Sequence, residues 1–154
     1  MKNIFALTIV GLIISISTFA QSNKEEIEFF QSIFGAEKKA IVANFIGDAD
    51  EAFWTKYDLY ETERKALGQS RIALLKEYAE NYSSLTDAKT DELMVKLVKQ
   101  KSSTDKLITK YYKQIRKTSG SKAAAQFMQI ETYFLSGIRM AILENIPFIG
   151  ELDN

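Results

Sequence analysis

The chain has 154 residues with 20 basic and 20 acidic side chains, ten Phe, seven Tyr and one Trp, but neither histidine nor cysteine. That excludes a Ser-His-Asp or Cys-His triad, a histidine acid or base, and a zinc site of nitrogen and sulfur ligands. The seven glycines are scattered and form no phosphate loop, so an enzyme is disfavoured and no cofactor or metal is expected.

The first residues, MKNIFALTIVGLIISISTFAQSNKEE, place Lys2 before an uncharged apolar run from Ile4 to about Ile16, followed by small residues at Thr18 and Ala20. This is the layout of a cleaved secretory signal peptide over residues 1–20, with the cut between Ala20 and Gln21. An uncleaved anchor is the alternative, but the run falls short of the roughly 20 apolar residues that a membrane span prefers. No cysteine stands near the cut to carry a lipid. Residues 21–154 are then one exported domain that no disulfide braces, and helix packing must hold it together.

Loss of Lys2 leaves 19 basic and 20 acidic residues, so net charge predicts no partner. Its distribution is uneven. Residues 24–63 hold ten acids and four bases, a net of −6, whereas residues 96–122 hold nine bases and one acid, a net of +8.

Four segments have helical period, and strand alternation is almost missing. The first runs from about Lys24 to Phe45, with Ile27, Phe30, Phe34, Ile41 and Phe45 on one seam and a bend or close contact expected at Gly35. Gly47 ends it. Asp48 and Glu51, three residues apart, have the spacing of a capping box, and Asp50 between them adds charge suited to a helix N-terminus. The alternative for Asp48, Asp50 and Glu51 is a calcium or other carboxylate site, although the Asp-x-Asp-x-Asp-Gly order is missing.

The second helix is predicted from Ala49 to about Tyr82, roughly 50 Å at about 1.5 Å per residue. Phe53, Tyr57, Tyr60, Arg64, Leu67, Arg71, Leu74 and Tyr78 mark its seam. A break at residues 81–86 follows, with Thr86 or Thr90 as the next cap. The third helix runs to about Thr118, with Met94, Leu97, Lys101, Thr104, Ile108, Tyr111 and Ile115 on its seam and Leu93, Leu107 and Tyr112 beside it. A turn at Thr118-Ser119-Gly120-Ser121 leads into the fourth helix, from Lys122 to about Asn145. Phe127, Ile130, Phe134, Ile138 and Ala141 form one stripe of that helix, and Met128, Leu135 and Ile142 the next, which suits a central position. Pro147 closes it. The expected fold is all-α, an elongated bundle of four long, mainly antiparallel helices.

Three constellations are candidates for function. Trp54, Tyr57, Tyr60, Tyr78, Tyr82, Tyr111 and Tyr112 supply large amphipathic rings, either as core and boundary or as an exposed groove for partly unfolded polypeptides. Lys99, Lys106, Lys110, Lys113 and Lys117 form one stripe of the third helix. It is either a solvated face, balanced by the acidic half or a second subunit, or a surface for acidic polypeptides or anionic lipid heads. Export removes nucleic acid from its partners, and any membrane contact is at the surface without insertion. Arg64 and Arg71 sit on a seam where leucine would be simpler, and Glu131 is misplaced on an apolar stripe. Each arginine should meet a carboxylate or reach the surface along its aliphatic stem; Glu131 is a candidate partner for either, and a structural ion pair is expected here, with a ligand-binding arginine as the alternative.

These residues carry a resemblance. An exported, cysteine-free chain of four long helices with short polar caps resembles the Spy and CpxP group of bacterial periplasmic stress proteins, marked by Leu-Thr-x-x-Gln at a helix start. Here Leu85-Thr86-Asp87-Ala88-Lys89 has Lys in place of Gln, and Ile46-Gly47-Asp48-Ala49-Asp50 at the earlier start does not match. A closer likeness, over nearly the whole mature chain, is to exported bacterial helical proteins of unassigned activity that share Phe53-Trp54-x-x-Tyr57-x-x-Tyr60, Glu77-Tyr78-Ala79-x-Asn81-Tyr82, Leu85-Thr86-Asp87, Lys110-Tyr111 and Phe127-x-Gln129-Ile130-Glu131. The Spy group implies a periplasmic, ATP-independent chaperone or envelope-stress modulator, often a homodimer with a concave surface for unfolded or envelope polypeptides. A structural or inhibitory protein with one dedicated envelope partner is the alternative.

Overall fold

The computed structural model describes residues 37–151, and every regular element among them is helical. The signal peptide, most of the first predicted helix and its Gly35 lie outside the described residues. Residues 37–46 are helical and are called α1; α2 is Glu51–Asn81 and α3 is Asp87–Asn145, with a single 3-10 turn, Tyr82–Ser84, between the last two.

The caps explain the boundaries. Gly47, at φ +73°, takes the left-handed conformation that ends a helix, and its N–H donates to the Ala43 carbonyl at 2.9 Å. The residue that starts α2 is Asp50 and not the expected Asp48: its Oδ1 accepts from the Phe53 N–H at 2.7 Å. Both acids have a plausible spacing, and the one in extended backbone directly before the first turn wins. The same Oδ1 accepts from the Ser119 hydroxyl at 2.7 Å, so Asp50 joins the start of α2 to the bend of α3. Thr86 starts α3, its Oγ1 accepting from the Lys89 N–H at 3.2 Å.

Helical turns run on through the predicted break at residues 118–121, but Gly120 is not helical there, with φ +87° and ψ 171°. It divides α3 into a first arm, 87–119, and a second arm, 121–145. Only glycine adopts this backbone readily.

The partners of α2 give the arrangement. Along the first arm, Asp50 meets Ser119, Tyr60 meets Tyr111, Glu63 meets Lys110, Leu67 meets Gln100 and Glu77 meets Lys96, so the two run antiparallel. Along the second arm, Tyr57 and Tyr60 meet Phe127, and Tyr78 meets Pro147 beyond its end, so those two run in the same direction. The second arm also meets α1 through Glu131 and Lys38 and the first arm through Arg139 and Asp105, which gives it the central position expected. Phe53, Tyr57, Tyr60, Leu107, Ile108, Tyr111, Ile115, Phe127, Ile130 and Phe134 form the core.

The seam of α2 is as predicted, but two others shift. Leu93 is buried on the first arm, whereas Met94 and Leu97 are exposed. Gln100, next to the predicted Lys101, reaches across to the Leu67 carbonyl at 2.7 Å. A strict alternation of three and four residues under-counts the 3.6-residue turn, so a seam read backwards from Ile115 slips by one position at its far end. On α1, Val42 is fully buried and Phe45 is exposed.

Candidate functional site

The polar centre of the molecule is built on α1, α2 and the second arm of α3. Lys38 of α1 is only 2 % exposed, and its Nζ lies 2.6 Å from Glu131 Oε2 and 2.6 Å from Glu61 Oε1. Glu131 of the second arm is equally buried and also accepts from the Tyr60 hydroxyl at 2.6 Å and the Tyr57 hydroxyl at 3.3 Å. The rings of Tyr57, Tyr60 and Phe134 surround the ammonium at 5.2 to 5.7 Å, where their negative faces favour a cation. Arg64 binds Glu61 through two nitrogens at 2.8 Å each. A buried charge is tolerable only with this density of partners.

Burial pushes the Tyr57 and Tyr60 hydroxyls far above the usual phenol range, and the negative charge of Glu131 pushes them further. Both therefore stay protonated as donors. Burial alone would raise Glu61, but the charge of Lys38 and the hydrogen bonds of Arg64 outweigh it, and Glu61 is held below the usual carboxylate range.

The expected pairing of Glu131 with Arg64 or Arg71 is thus corrected: the cation that Glu131 meets is Lys38. Arg64 turns to Glu61, one helical turn before it on α2, which a short side-chain reach makes easier than crossing to the second arm. Lys38 was missed. Its sequence signal was the seven-residue step between Phe34 and Ile41 on the first seam, a gap in which Lys38 stands four residues after Phe34 and three before Ile41.

Three of the rings proposed for partner binding, Tyr57, Tyr60 and Tyr111, are core residues and offer no surface. A tyrosine can be buried once its hydroxyl has an acceptor, and Glu131 and Glu63 supply those acceptors. Trp54 is half-buried, edge-on to Phe53 and Tyr57, with the Lys39 ammonium 5.4 Å from its ring. Tyr112 is half-buried against the core. Tyr78 and Tyr82 pack edge to face at 5.6 Å, and their hydroxyls donate to the Pro147 and Phe148 carbonyls at 2.7 Å each.

The lysines lie differently. Lys99, Lys106, Lys110, Lys113 and Lys117 are all exposed on the first arm. Lys110 bonds Glu63 at 2.6 Å, which joins the basic and acidic parts of the sequence; the other four make no ion pair among the described residues. Lys106, Lys110 and Lys113 line a shallow open groove of about 590 Å³ together with Val98, Lys101, Ser102, Asp105 and Thr109. Val98, 67 % exposed, and Val95, 68 % exposed, extend this face with apolar surface.

Asp48, Asp50 and Glu51 do not converge: Asp50 is committed to its cap and to Ser119. Among the described residues, no group of three or more acidic, His or Cys side chains is placed to hold a metal ion, and no helix is long and apolar enough to cross a membrane. Compared with protein-family models, with curated proteins and with solved structures, the chain gave no match.

Proposed function

We propose that the protein is a non-catalytic, exported polypeptide-binding protein, a periplasmic ATP-independent chaperone or envelope-stress modulator of the Spy and CpxP kind. In this reading residues 1–20 are removed on export, and the mature chain is an elongated bundle of four long helices. The observation that carries it is the lysine groove of the first arm. A cationic face with exposed valines alongside suits polypeptides that mix acidic and apolar side chains, and such contacts are steered by charge and released by salt. The buried tyrosines serve the fold, so the binding face is narrower and more cationic than the aromatic cradle expected from composition.

The test is aggregation of an unfolded model client with the purified mature protein in several-fold molar excess. Aggregation should slow, and Lys106→Glu with Lys113→Glu should remove most of the effect at unchanged helicity. A wild-type protein that leaves aggregation unaltered overturns the chaperone reading. N-terminal sequencing of protein from the periplasmic fraction should begin at Gln21, and an intact Met1 there overturns the cleavage.

A further inference from the structure

A second cavity lies at the polar centre, where α1, α2 and both arms of α3 meet. It holds about 40 Å³, above the roughly 10–15 Å³ that a cavity needs to take in one water, and so admits one small group and not a nucleotide or a sugar. Leu67, Ile108, Phe134, Leu135 and Ile138 give it apolar walls, and Gly68 leaves part of the α2 side without a side chain.

Its charged lining is uneven in one respect. Lys38 is committed to Glu61 and Glu131, and Arg64 to Glu61. Thr104 donates its hydroxyl to the Gln100 carbonyl at 3.0 Å. Arg71 is half-buried, lines the same cavity, and has no ion pair or hydrogen bond among the described residues. Every buried side-chain nitrogen or oxygen among them has a partner, so the unbonded guanidinium nitrogens of Arg71 are within reach of a solute. Burial, with the positive charges of Arg139 and Arg64, pulls Arg71 below the usual arginine range, the environment of a cation short of a counter-charge.

We propose that this cavity is an anion site that takes one carboxylate group, held by Arg71. The charge balance selects a monoanion. Among the described residues, Lys38, Arg64 and Arg71 supply three positive charges and Glu61 and Glu131 two negative ones, which leaves one positive charge to be met. A phosphate dianion exceeds that balance. The planar fork of a guanidinium matches the two oxygens of a carboxylate, and the apolar walls suit a short aliphatic stem. The carboxylate can come from a small free acid or from the C-terminal end of a polypeptide. The site is independent of the lysine groove, on another face of the first arm, and stands or falls separately from the chaperone reading.

The experiment is titration of the isotopically labelled mature protein, followed through the Arg71 Nε–H resonance and the backbone amides of Gly68 and Thr104, at constant ionic strength. Sodium acetate should produce saturable shifts and sodium phosphate none. Arg71→Gln should weaken binding roughly tenfold or more, as expected for loss of a charge-assisted hydrogen bond. Gly68→Leu, which fills the cavity and leaves Arg71 in place, should weaken it as well, whereas Arg139→Gln should keep it. A short peptide with a free C-terminus that binds, while its amide does not, identifies polypeptide ends as the source; binding of acetate alone identifies a small free acid. Shifts that never saturate, phosphate binding in place of acetate, or equal saturation in Arg71→Gln overturns the proposal.

Discussion

The Lys38 ammonium and the Glu131 carboxylate meet at 2.6 Å across 93 positions of sequence, each in a residue only 2 % exposed. Each charge interrupts an otherwise apolar helix face, and each is tolerable because the other stands opposite, with Glu61 as a second partner of Lys38 and the Tyr57 and Tyr60 hydroxyls on Glu131. Breaking such a pair leaves an uncompensated buried charge, which typically costs about 3–5 kcal/mol. Lys38→Met, which leaves Glu131 without a cation among the described residues, should therefore destabilise the protein by about that amount in urea unfolding, and Glu131→Leu should destabilise it too, by removing the acceptor of the Tyr57 and Tyr60 hydroxyls while Lys38 keeps Glu61. The double variant should cost clearly less than the sum, because it removes both charges together. Strict additivity would show that the pair is not coupled.

The buried hydroxyls predict the alkaline behaviour. Burial, then the hydrogen bond and charge of Glu63, raise Tyr111 to about 12 from an ordinary value of 10.0. A group whose pKa is raised on folding stabilises the native state fully below its unfolded value, and that contribution is lost as pH rises through the folded one. For Tyr111 the window is pH 10 to 12, with Tyr57 and Tyr60 pushing in the same direction. Phenolate absorbance of the folded protein near pH 10 should fall short of that of the unfolded chain, and the remainder should emerge only with loss of helicity. Full ionisation near pH 10 with helicity intact would refute this.

Glu77 predicts the acid side. Hydrogen bonds from Lys89 and Lys96 lower it from 4.5 to about 2. A depressed carboxylate contributes above its unfolded pKa, and the contribution fades as pH falls from about 4.5 through about 2. Glu77→Gln should flatten the pH dependence of stability in that window. Because Glu77 and its two lysines lie at the surface, partly exposed to solvent, added salt should shrink the difference between variant and parent.

Gly120 predicts a cost with no clash behind it. A Cβ built there meets nothing within 4 Å, so Gly120→Ala changes only backbone preference. At φ +87° and ψ 171° the expected loss is about 1–3 kcal/mol. Ser121→Ala beside it, on an exposed residue, should stay within about 0.5 kcal/mol.

Local signals in the sequence were good guides. Thr86 as a cap, Gly47 as a stop, Gly120 as a bend and Phe127-Ile130-Phe134 as a buried stripe depend on neighbouring residues, and the chain carries them openly. Pairings over long separations were harder. Glu131 was visibly out of place, but its partner could be found only by asking which other apolar seam has a hole in it, and Lys38 fills that hole. The fate of the tyrosines was hidden for a different reason: the same ring suits core and surface, and the location of an acceptor for its hydroxyl decides between them. Arg71 kept its oddity, since a guanidinium on a seam signals a need for negative charge without naming the source.

The hydroxyls of Tyr78 and Tyr82 grip the chain after the second arm by main-chain oxygens, at Pro147 and Phe148. Such anchors do not depend on which side chains follow, because every amino acid offers the same carbonyl. The closing segment can therefore drift in composition over evolutionary time and still keep its route, provided the two rings that clasp it persist.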